Sequence, residues 1–131
     1  MRGPALAGGL TLAATAYVAL VDPYRPGHYL TCPLLAATGL YCAACGGLRA
    51  VHDLARLDVV GAWDMNPLLV VALPLLLLGW ARWLVRSWAG ARRRSTGSDL
   101  RSSLLAWAVL AVVVSFGVLR NVPALAPWLA P

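Results

Sequence analysis

The hydrophobic pattern of the chain divides it into three long apolar stretches separated by two more polar segments. Residues 3–21, 65–81 and 102–119 contain no Asp, Glu, Lys or Arg. Each stretch is close to the roughly 20 residues that a helix needs to cross a hydrocarbon core about 30 Å thick. Because only a helix satisfies its own backbone polar groups in lipid, the pattern predicts three transmembrane helices. The predicted fold class is therefore all-α, a single integral membrane domain over residues 1–131.

The first apolar stretch has a second interpretation. Arg2 is followed by a run of Leu, Ala and Gly that carries Ala14-Thr15-Ala16 near its end, and this arrangement is also typical of a cleaved signal peptide. We favour an uncleaved helix. Both interpretations deliver the segment that follows to the same side of the membrane.

The segment between the first two predicted spans, residues 22–64, changes character along its length. Its first part, DPYRPGHYLTCP, contains three prolines and a glycine, which excludes a regular helix or an interior strand. After Gly46 and Gly47, apolar residues recur at helical spacings of three and four, at Leu48, Val51, Leu54 or Ala55, and Leu57. This periodicity predicts a short amphipathic helix in the outer membrane interface, with its apolar side in lipid or against the spans. The opposite face carries Arg49, His52, Asp53 and Arg56.

Composition and charge agree with a membrane location. Of the 131 residues 60% are hydrophobic and only 12% are charged, whereas about a quarter of the residues of soluble domains are charged. The net charge is +6, and six arginines fall in the loop 82–101, namely Arg82, Arg86, Arg92, Arg93, Arg94 and Arg101. Because apolar stretches flank this loop, we expect it to face anionic lipid head groups and expect no nucleic-acid partner. Small residues such as Gly8-Gly9 and Ala13-Ala14 would permit contact with other membrane proteins or with a second copy.

The placement of the arginines also predicts the orientation. Under the positive-inside rule the basic loop 82–101 is cytoplasmic, so the N-terminus lies inside and the segment 22–64 lies outside. The outer segment has a net charge of minus one, from four aspartates and three arginines. Arg120-Asn121-Val122-Pro123 would lie on this outer side as well.

All three cysteines, and one of the two histidines, fall between Cys32 and Asp53. Cys42 and Cys45 have a familiar chelating spacing, and Cys32 with His52 would complete a Cys₃His set for zinc or another divalent metal. A structural or redox-active disulfide is an alternative in an oxidising compartment, and buried free thiols are another. Covalent haem attachment is not supported, since Gly46 stands where that motif requires histidine. The sequence leaves metal, disulfide and free thiols open.

The predicted helix places further groups near Cys45. A helix N-terminus and the cation of Arg49 would both favour a thiolate at Cys45. His52 lies two helical turns further on, and the neighbouring carboxylate of Asp53 is a candidate hydrogen-bond partner for a ligating imidazole. Pro67 suits the first turn of the second span, where Asp64 or Asn66 can cap the free N–H groups.

These motifs together resemble a bacterial family of small membrane proteins of unknown function. The resemblance rests on Cys32-Pro33, Thr38-Gly39, Cys42-Ala43-Ala44-Cys45-Gly46 and Arg49-Ala50, and it extends to Asp22-Pro23, Asn66-Pro67 and Arg120-Asn121-Val122-Pro123. Members usually have Pro after the first cysteine of the pair and Thr before the arginine, where this chain has Ala43 and Leu48. The resemblance implies a membrane protein of the bacterial cytoplasmic membrane with a cysteine-centred motif, and it implies no particular activity.

We therefore predict a non-enzymatic membrane component, an accessory or assembly factor, whose outer motif binds a metal ion or a partner protein. Its candidate metal ligands are Cys32, Cys42, Cys45 and His52, and its further motif residues are Gly46, Arg49, Asp53, Asn66, Arg120 and Asn121. The alternative is a membrane thiol-disulfide redox protein that uses the pair Cys42 and Cys45.

Overall fold

The computed structural model describes residues 2–25, 27–89 and 99–131. Within these ranges the chain forms helices and no strand, which confirms the predicted all-α fold class. The helices are α1 (Arg2–Leu20), α2 (Pro33–Thr38), α3 (Gly47–Ala55), α4 (Val59–Met65), α5 (Pro67–Trp88), α6 (Asp99–Leu119) and α7 (Ala126–Leu129). Three arginines of the predicted basic loop, Arg92, Arg93 and Arg94, lie outside the described residues.

Three of the helices are long and apolar enough to cross a membrane, and they fit a multi-pass membrane protein. The candidate spans are Gly3–Leu20, Pro67–Trp88 and Leu100–Leu119. Large apolar side chains on them are exposed, for example Leu75 and Leu76 at 67% each, as expected of residues that face lipid. The second span continues beyond the predicted end at residue 81 and includes Arg82 and Arg86. Arginine is tolerated there because its long side chain can reach the head groups from the last turns of a span.

Helices α1 and α5 run antiparallel and pack through an aromatic side chain on a glycine. The indole N–H of Trp80 donates a 3.1 Å hydrogen bond to the carbonyl oxygen of Pro4. A Cβ atom added to Gly8 would come within 2.6 Å of the Trp80 ring, whereas one added to Gly9 would meet nothing within 4 Å. The small residue at position 8 therefore serves contact within the chain.

Helix α3 is present where the periodicity predicts it, but two residues of its polar face are turned into the protein, while Arg49 and Arg56 remain exposed. His52 and Asp53 are buried, at 3% and 8% exposure, whereas Leu48 and Leu57 are 46% and 88% exposed. The polar side chains can be buried because each has a hydrogen-bond partner, the end of α1 for His52 and Tyr24 for Asp53. Leu48 and Leu57 are left free to contact lipid, whereas Val51 and Leu54 are half-buried.

The short helices α2, α4 and α7 were not predicted, because each is too short to show a periodic pattern. Local signals define two of them: α2 ends at Gly39 in the left-handed conformation with φ +73°, and the Asp58 side chain accepts a hydrogen bond from the Gly61 N–H at the start of α4. Together with α3 and the intervening loops they form what we call the cap, residues 21–66 and 120–131. The cap lies at the end of the spans where α1 and α6 finish and α5 begins.

Candidate metal centre

The three cysteines meet in the cap and form what we call the cysteine triad. The Sγ atom of Cys42 lies 3.4 Å from that of Cys32 and 3.1 Å from that of Cys45, and all three sulfur atoms lie within 4.8 Å of one another. Tetrahedral zinc with Zn–S bonds of about 2.3 Å holds its sulfur ligands about 3.8 Å apart. The triad of free thiols therefore has a spacing close to that of ligands sharing one ion.

A tight turn brings Cys42 and Cys45 together. The Cys45 N–H donates to the Cys42 carbonyl oxygen at 3.1 Å, and the Cys42 N–H donates to the Cys45 sulfur at 3.2 Å. Gly46 then adopts φ +77°, and a Cβ atom at this position would collide with the carbonyl oxygen of Met65. Glycine is required here because the backbone is both left-handed and packed directly against the end of α4.

Cys32 is more acidic than an ordinary cysteine thiol. It precedes Pro33 at the start of α2, and although its sulfur makes no well-formed cap hydrogen bond, the nearby N–H of Leu35 and the thiol of Cys42 lower its pKa to about 7. Burial, with the Cys42 thiol, raises the pKa of Cys45 to about 12. The structure thus contradicts the expectation that Cys45 carries the thiolate, because burial outweighs its position at a helix start.

Arg120, directly after the third span, is buried beneath the triad with no exposed surface. Its guanidinium donates hydrogen bonds to the backbone carbonyl oxygens of Cys45 (2.8 Å), Cys42 (3.0 Å), Ala43 (3.4 Å), Met65 (3.0 Å) and Leu129 (2.6 Å). The side chain also stacks over the ring of Phe116 at 5.0 Å. One arginine therefore joins the cysteine turn to the ends of α4 and α7.

The charge of Arg120 has no carboxylate partner among the residues that the structure describes, where the ion pair found is Arg25 with Asp22 at 3.7 Å. A buried cation ordinarily needs a negative counter-charge. Burial lowers the pKa of Arg120, whereas negative charge on Cys45 and Cys42 would raise it. The thiols of the triad are thus the groups placed to balance this guanidinium.

Asn66 holds the same turn from the start of the second span. Its Nδ2 atom donates to the carbonyl oxygens of Ala43 at 3.0 Å and Cys45 at 3.2 Å, and its Oδ1 atom accepts from the N–H of Leu69 at 3.0 Å. The side chain is 2% exposed. Asn66 is therefore the residue that caps α5, of the two candidates, Asp64 and Asn66, that the sequence offered. It also fixes the backbone of the cysteine pair.

Asn121 fixes the residue that precedes the cysteine pair. Its Oδ1 atom accepts from the Tyr41 N–H at 2.8 Å, and its Nδ2 atom donates to the Tyr41 carbonyl oxygen at 2.8 Å and to that of Gly117 at 2.7 Å. The amide side chain thus pairs with both backbone groups of Tyr41. The two residues that follow α6 therefore hold two consecutive residues at the cysteine turn. Asn121 binds Tyr41, and Arg120 binds Cys42.

The remaining predicted site residues form a separate cluster and do not join the triad. The Nδ1 atom of His52 lies 2.7 Å from the carbonyl oxygen of Val18 in α1, and the described group of metal-ligating side chains contains only the cysteines. Asp53 accepts a 2.6 Å hydrogen bond from the hydroxyl of Tyr24, and Arg49 stacks over the Tyr24 ring at 5.2 Å. Burial and Asp53 raise the pKa of Tyr24 to about 12. Sequence reasoning assigned no role to Tyr24, which links the proline-rich loop to α3.

Residues 32–80 match a family model described as protein of unknown function (DUF2752). The match begins at the first cysteine of the triad and ends within α5, so it fits a family of unknown function. It does not include Arg120 or Asn121, although both bind the matched segment. No curated protein and no solved structure matches the chain, and the function is therefore argued from the site.

Proposed function

We propose that the protein is a non-enzymatic component of the bacterial cytoplasmic membrane that holds a thiophilic divalent metal ion, such as zinc, through Cys32, Cys42 and Cys45. The observation that carries the proposal is the convergence of three sulfur atoms at a turn whose carbonyl oxygens bind the buried guanidinium of Arg120. Cysteine thiolate is a preferred ligand of zinc and other soft or borderline ions.

Charge balance favours a metal over the other states of the triad. A divalent ion bound by three thiolates carries a net charge of minus one, which the guanidinium of Arg120 cancels. Three neutral thiols, or one disulfide with one neutral thiol, would leave this cation buried against carbonyl oxygens alone. Because an uncompensated buried charge is costly, the metal-thiolate state is the one that the surroundings of Arg120 stabilise best.

The orientation that we propose places the triad on the extracytoplasmic face. The start of α1, the end of α5 and the start of α6 lie at the opposite end of the spans from the cap, and this opposite end carries Arg82, Arg86 and Arg101. Short loops rich in arginine remain in the cytoplasm. An accessory or assembly role fits a cap in which Asn66, Arg120 and Asn121 are used to hold backbone around a binding site.

Metal analysis of the full-length protein purified in detergent tests the proposal. We expect close to one divalent ion per chain, removal of that ion by a strong chelator, and a matching increase in the thiols that react with a colorimetric reagent. Cys42→Ser and Cys45→Ser should each lose the ion. Protein that contains no metal and has two oxidised cysteines would contradict the proposal.

His52→Gln is the matched variant that defines the ligand set. If the ion is held by the triad, this variant keeps its metal content, because His52 faces the end of α1. A Cys₃His site would instead lose the ion.

The orientation can be tested through the half-buried Cys32, by labelling intact cells with a membrane-impermeant maleimide before and after chelation. If Cys32 is labelled only after the membrane is opened, the result would contradict an outer cap.

A thiol-disulfide redox protein is the second candidate, and one observation favours it. The sulfur of Cys32 lies 3.4 Å from that of Cys42, so a Cys32 thiolate is placed to attack Cys42 of a Cys42–Cys45 disulfide and release Cys45 as the thiolate. Exchange with dithiothreitol, followed by mass spectrometry, tests this function. Redox activity requires that Cys32→Ser slow the exchange and that Cys42→Ser and Cys45→Ser abolish it.

A further inference from the structure

One edge of the cysteine triad is open to a recess in the cap with a volume of about 500 Å³. Cys32 and Cys45 line this recess together with Tyr41. Cys42 does not line it and instead borders a separate, mostly apolar depression against α6. An ion held by the triad would therefore face this recess on the side of Cys32 and Cys45 and the apolar depression on the side of Cys42.

Two cationic side chains line the recess. They are the guanidinium groups of Arg25 and Arg49; Pro131 also lines it, and no acidic side chain is found among its described lining residues. Arg25 is largely exposed and loosely paired with Asp22. Arg49 is positioned by the ring of Tyr24, whose hydroxyl is bound by buried Asp53. Among the described residues the ion pair found is that of Arg25 with Asp22, so Asp53 makes no direct ion pair with Arg49.

We infer that the triad is a three-ligand metal site whose fourth coordination position opens into this recess and accepts a small anionic ligand beside Arg49. The inference rests on the proposed function. Zinc and similar ions bind four ligands, and three protein ligands leave one position for an exchangeable group. The negative charge of an incoming anion would face Arg49, as the charge of the triad faces Arg120. The start of α3, which also borders the recess, adds a favourable dipole.

An open fourth position would make the ion exchangeable. A closed four-residue site holds its metal as a structural element, whereas an open position allows a soluble ligand to bind the ion without any protein ligand leaving first. The site would thus be suited to receiving an ion from, or passing it to, a small anionic carrier outside the membrane.

Anion titration of the cobalt-loaded, full-length protein in detergent tests this inference. Cobalt(II) can replace zinc and its absorption bands report both thiolate ligation and the identity of the fourth ligand. We would add azide at constant ionic strength, maintained with perchlorate. The wild-type protein should show a saturable change in the cobalt d–d bands, and Arg49→Gln should weaken azide binding by about tenfold through loss of a charged hydrogen-bond donor. Arg56→Gln, an exposed arginine at the end of α3 that does not line the recess, should bind azide like the wild type.

The possible results separate this inference from the proposed function. Absence of a thiolate-to-cobalt charge-transfer band in the wild type would overturn both. A normal charge-transfer band with d–d bands that do not respond to azide would overturn the open position while leaving the metal site intact. Equal azide affinity in wild type and Arg49→Gln, with equal cobalt loading, would overturn the role of Arg49 and with it the assignment of the recess as an anion-binding site.

Discussion

The Nη1 atom of Arg120 donates a 2.8 Å hydrogen bond to the carbonyl oxygen of Cys45, a residue 75 positions earlier in the chain. The same carbonyl oxygen accepts a second hydrogen bond from Asn66. Two side chains from the ends of two different spans therefore converge on one peptide group of the cysteine turn. This convergence couples the packing of the spans to the geometry of the triad, and it leads to predictions that mutagenesis can test.

Replacing Arg120 should affect both stability and metal binding. Arg120→Met removes all the hydrogen bonds that the guanidinium donates to backbone carbonyl oxygens and should lower the free energy of unfolding by on the order of 3 kcal/mol. Arg120→Lys keeps the charge but lacks the planar set of donors, so its stability and metal affinity should lie between those of the wild type and Arg120→Met. Thermal unfolding in detergent and competition with a chromophoric zinc chelator measure the two effects. Unchanged zinc affinity in Arg120→Met would contradict the charge-balance argument.

Asn66→Asp separates the two functions of this side chain. A carboxylate can still accept from the Leu69 N–H, but it has no donor for the carbonyl oxygens of Ala43 and Cys45 and repels them. We expect a loss of roughly 2 kcal/mol, measured by thermal unfolding. Asp58→Asn is the control, because Asp58 caps α4 through its side-chain oxygen and the substitution keeps that acceptor. An Asn66→Asp variant as stable as the control would show that the two carbonyl contacts contribute nothing.

Two glycines with similar backbone conformations should respond differently to alanine. Gly39 has φ +73° with open space where a Cβ atom would lie, whereas Gly46 has φ +77° and a Cβ atom there would meet the Met65 carbonyl oxygen. Gly39→Ala should cost about 1 kcal/mol, from the left-handed backbone alone. Gly46→Ala adds a steric collision, so its loss of thermal stability and of metal content should be clearly larger. Equal effects would mean that the close approach to α4 is unimportant.

The thiols of the metal-free, reduced protein should differ in reactivity with pH. With a pKa of about 7, Cys32 is about half thiolate at pH 7, whereas a thiol with a pKa of 9 is about 1% thiolate at that pH. Its alkylation rate should reach half its maximum near pH 7 and level off above about pH 8. Cys45, with its pKa raised to about 12, should react more slowly and continue to accelerate above pH 9. Timed iodoacetamide labelling with mass spectrometry measures both, and faster labelling of Cys45 would contradict the structure.

The contact between the first two spans can be tested at adjacent glycines. Gly8→Ala places a methyl group against the ring of Trp80, whereas Gly9→Ala points into open space. The first substitution should destabilise the protein by about 1–3 kcal/mol, as overpacking does, and the second should have little effect. Thermal unfolding followed by tryptophan fluorescence makes the comparison, and matching curves would indicate that α1 and α5 do not pack in this way.

Much of the fold could be predicted because it depends on local properties of the sequence. A long stretch without charges is recognisable wherever it occurs, and all three spans follow from this property. The predicted end of the second span is too early because it stops at the first charged residue, Arg82, whose side chain can extend out of the lipid region. Which residues of α3 are buried could not be predicted, since burial of His52 and Asp53 depends on hydrogen-bond partners that lie elsewhere in the chain.

The candidate site likewise combines features that local sequence predicts with features that only the fold decides. The spacing of Cys42 and Cys45 by itself predicts that their sulfur atoms can meet. The path of the chain decided that Cys32 joins them and that His52 does not. It turns the face of α3 that carries His52 toward α1. The expected thiolate at Cys45 was wrong because sequence position indicates proximity to a helix start but not burial.

The sequence by itself determined the three spans, the cysteine motif and the identity of Asn66, Arg120 and Asn121 as motif residues. Only the tertiary structure decided what these three residues do, through hydrogen bonds to backbone groups 21 to 80 positions away. The physical reason is that their partners are mostly peptide carbonyl oxygens. Every residue carries one, so a side chain that binds a distant carbonyl leaves no complementary residue type by which the contact could be recognised.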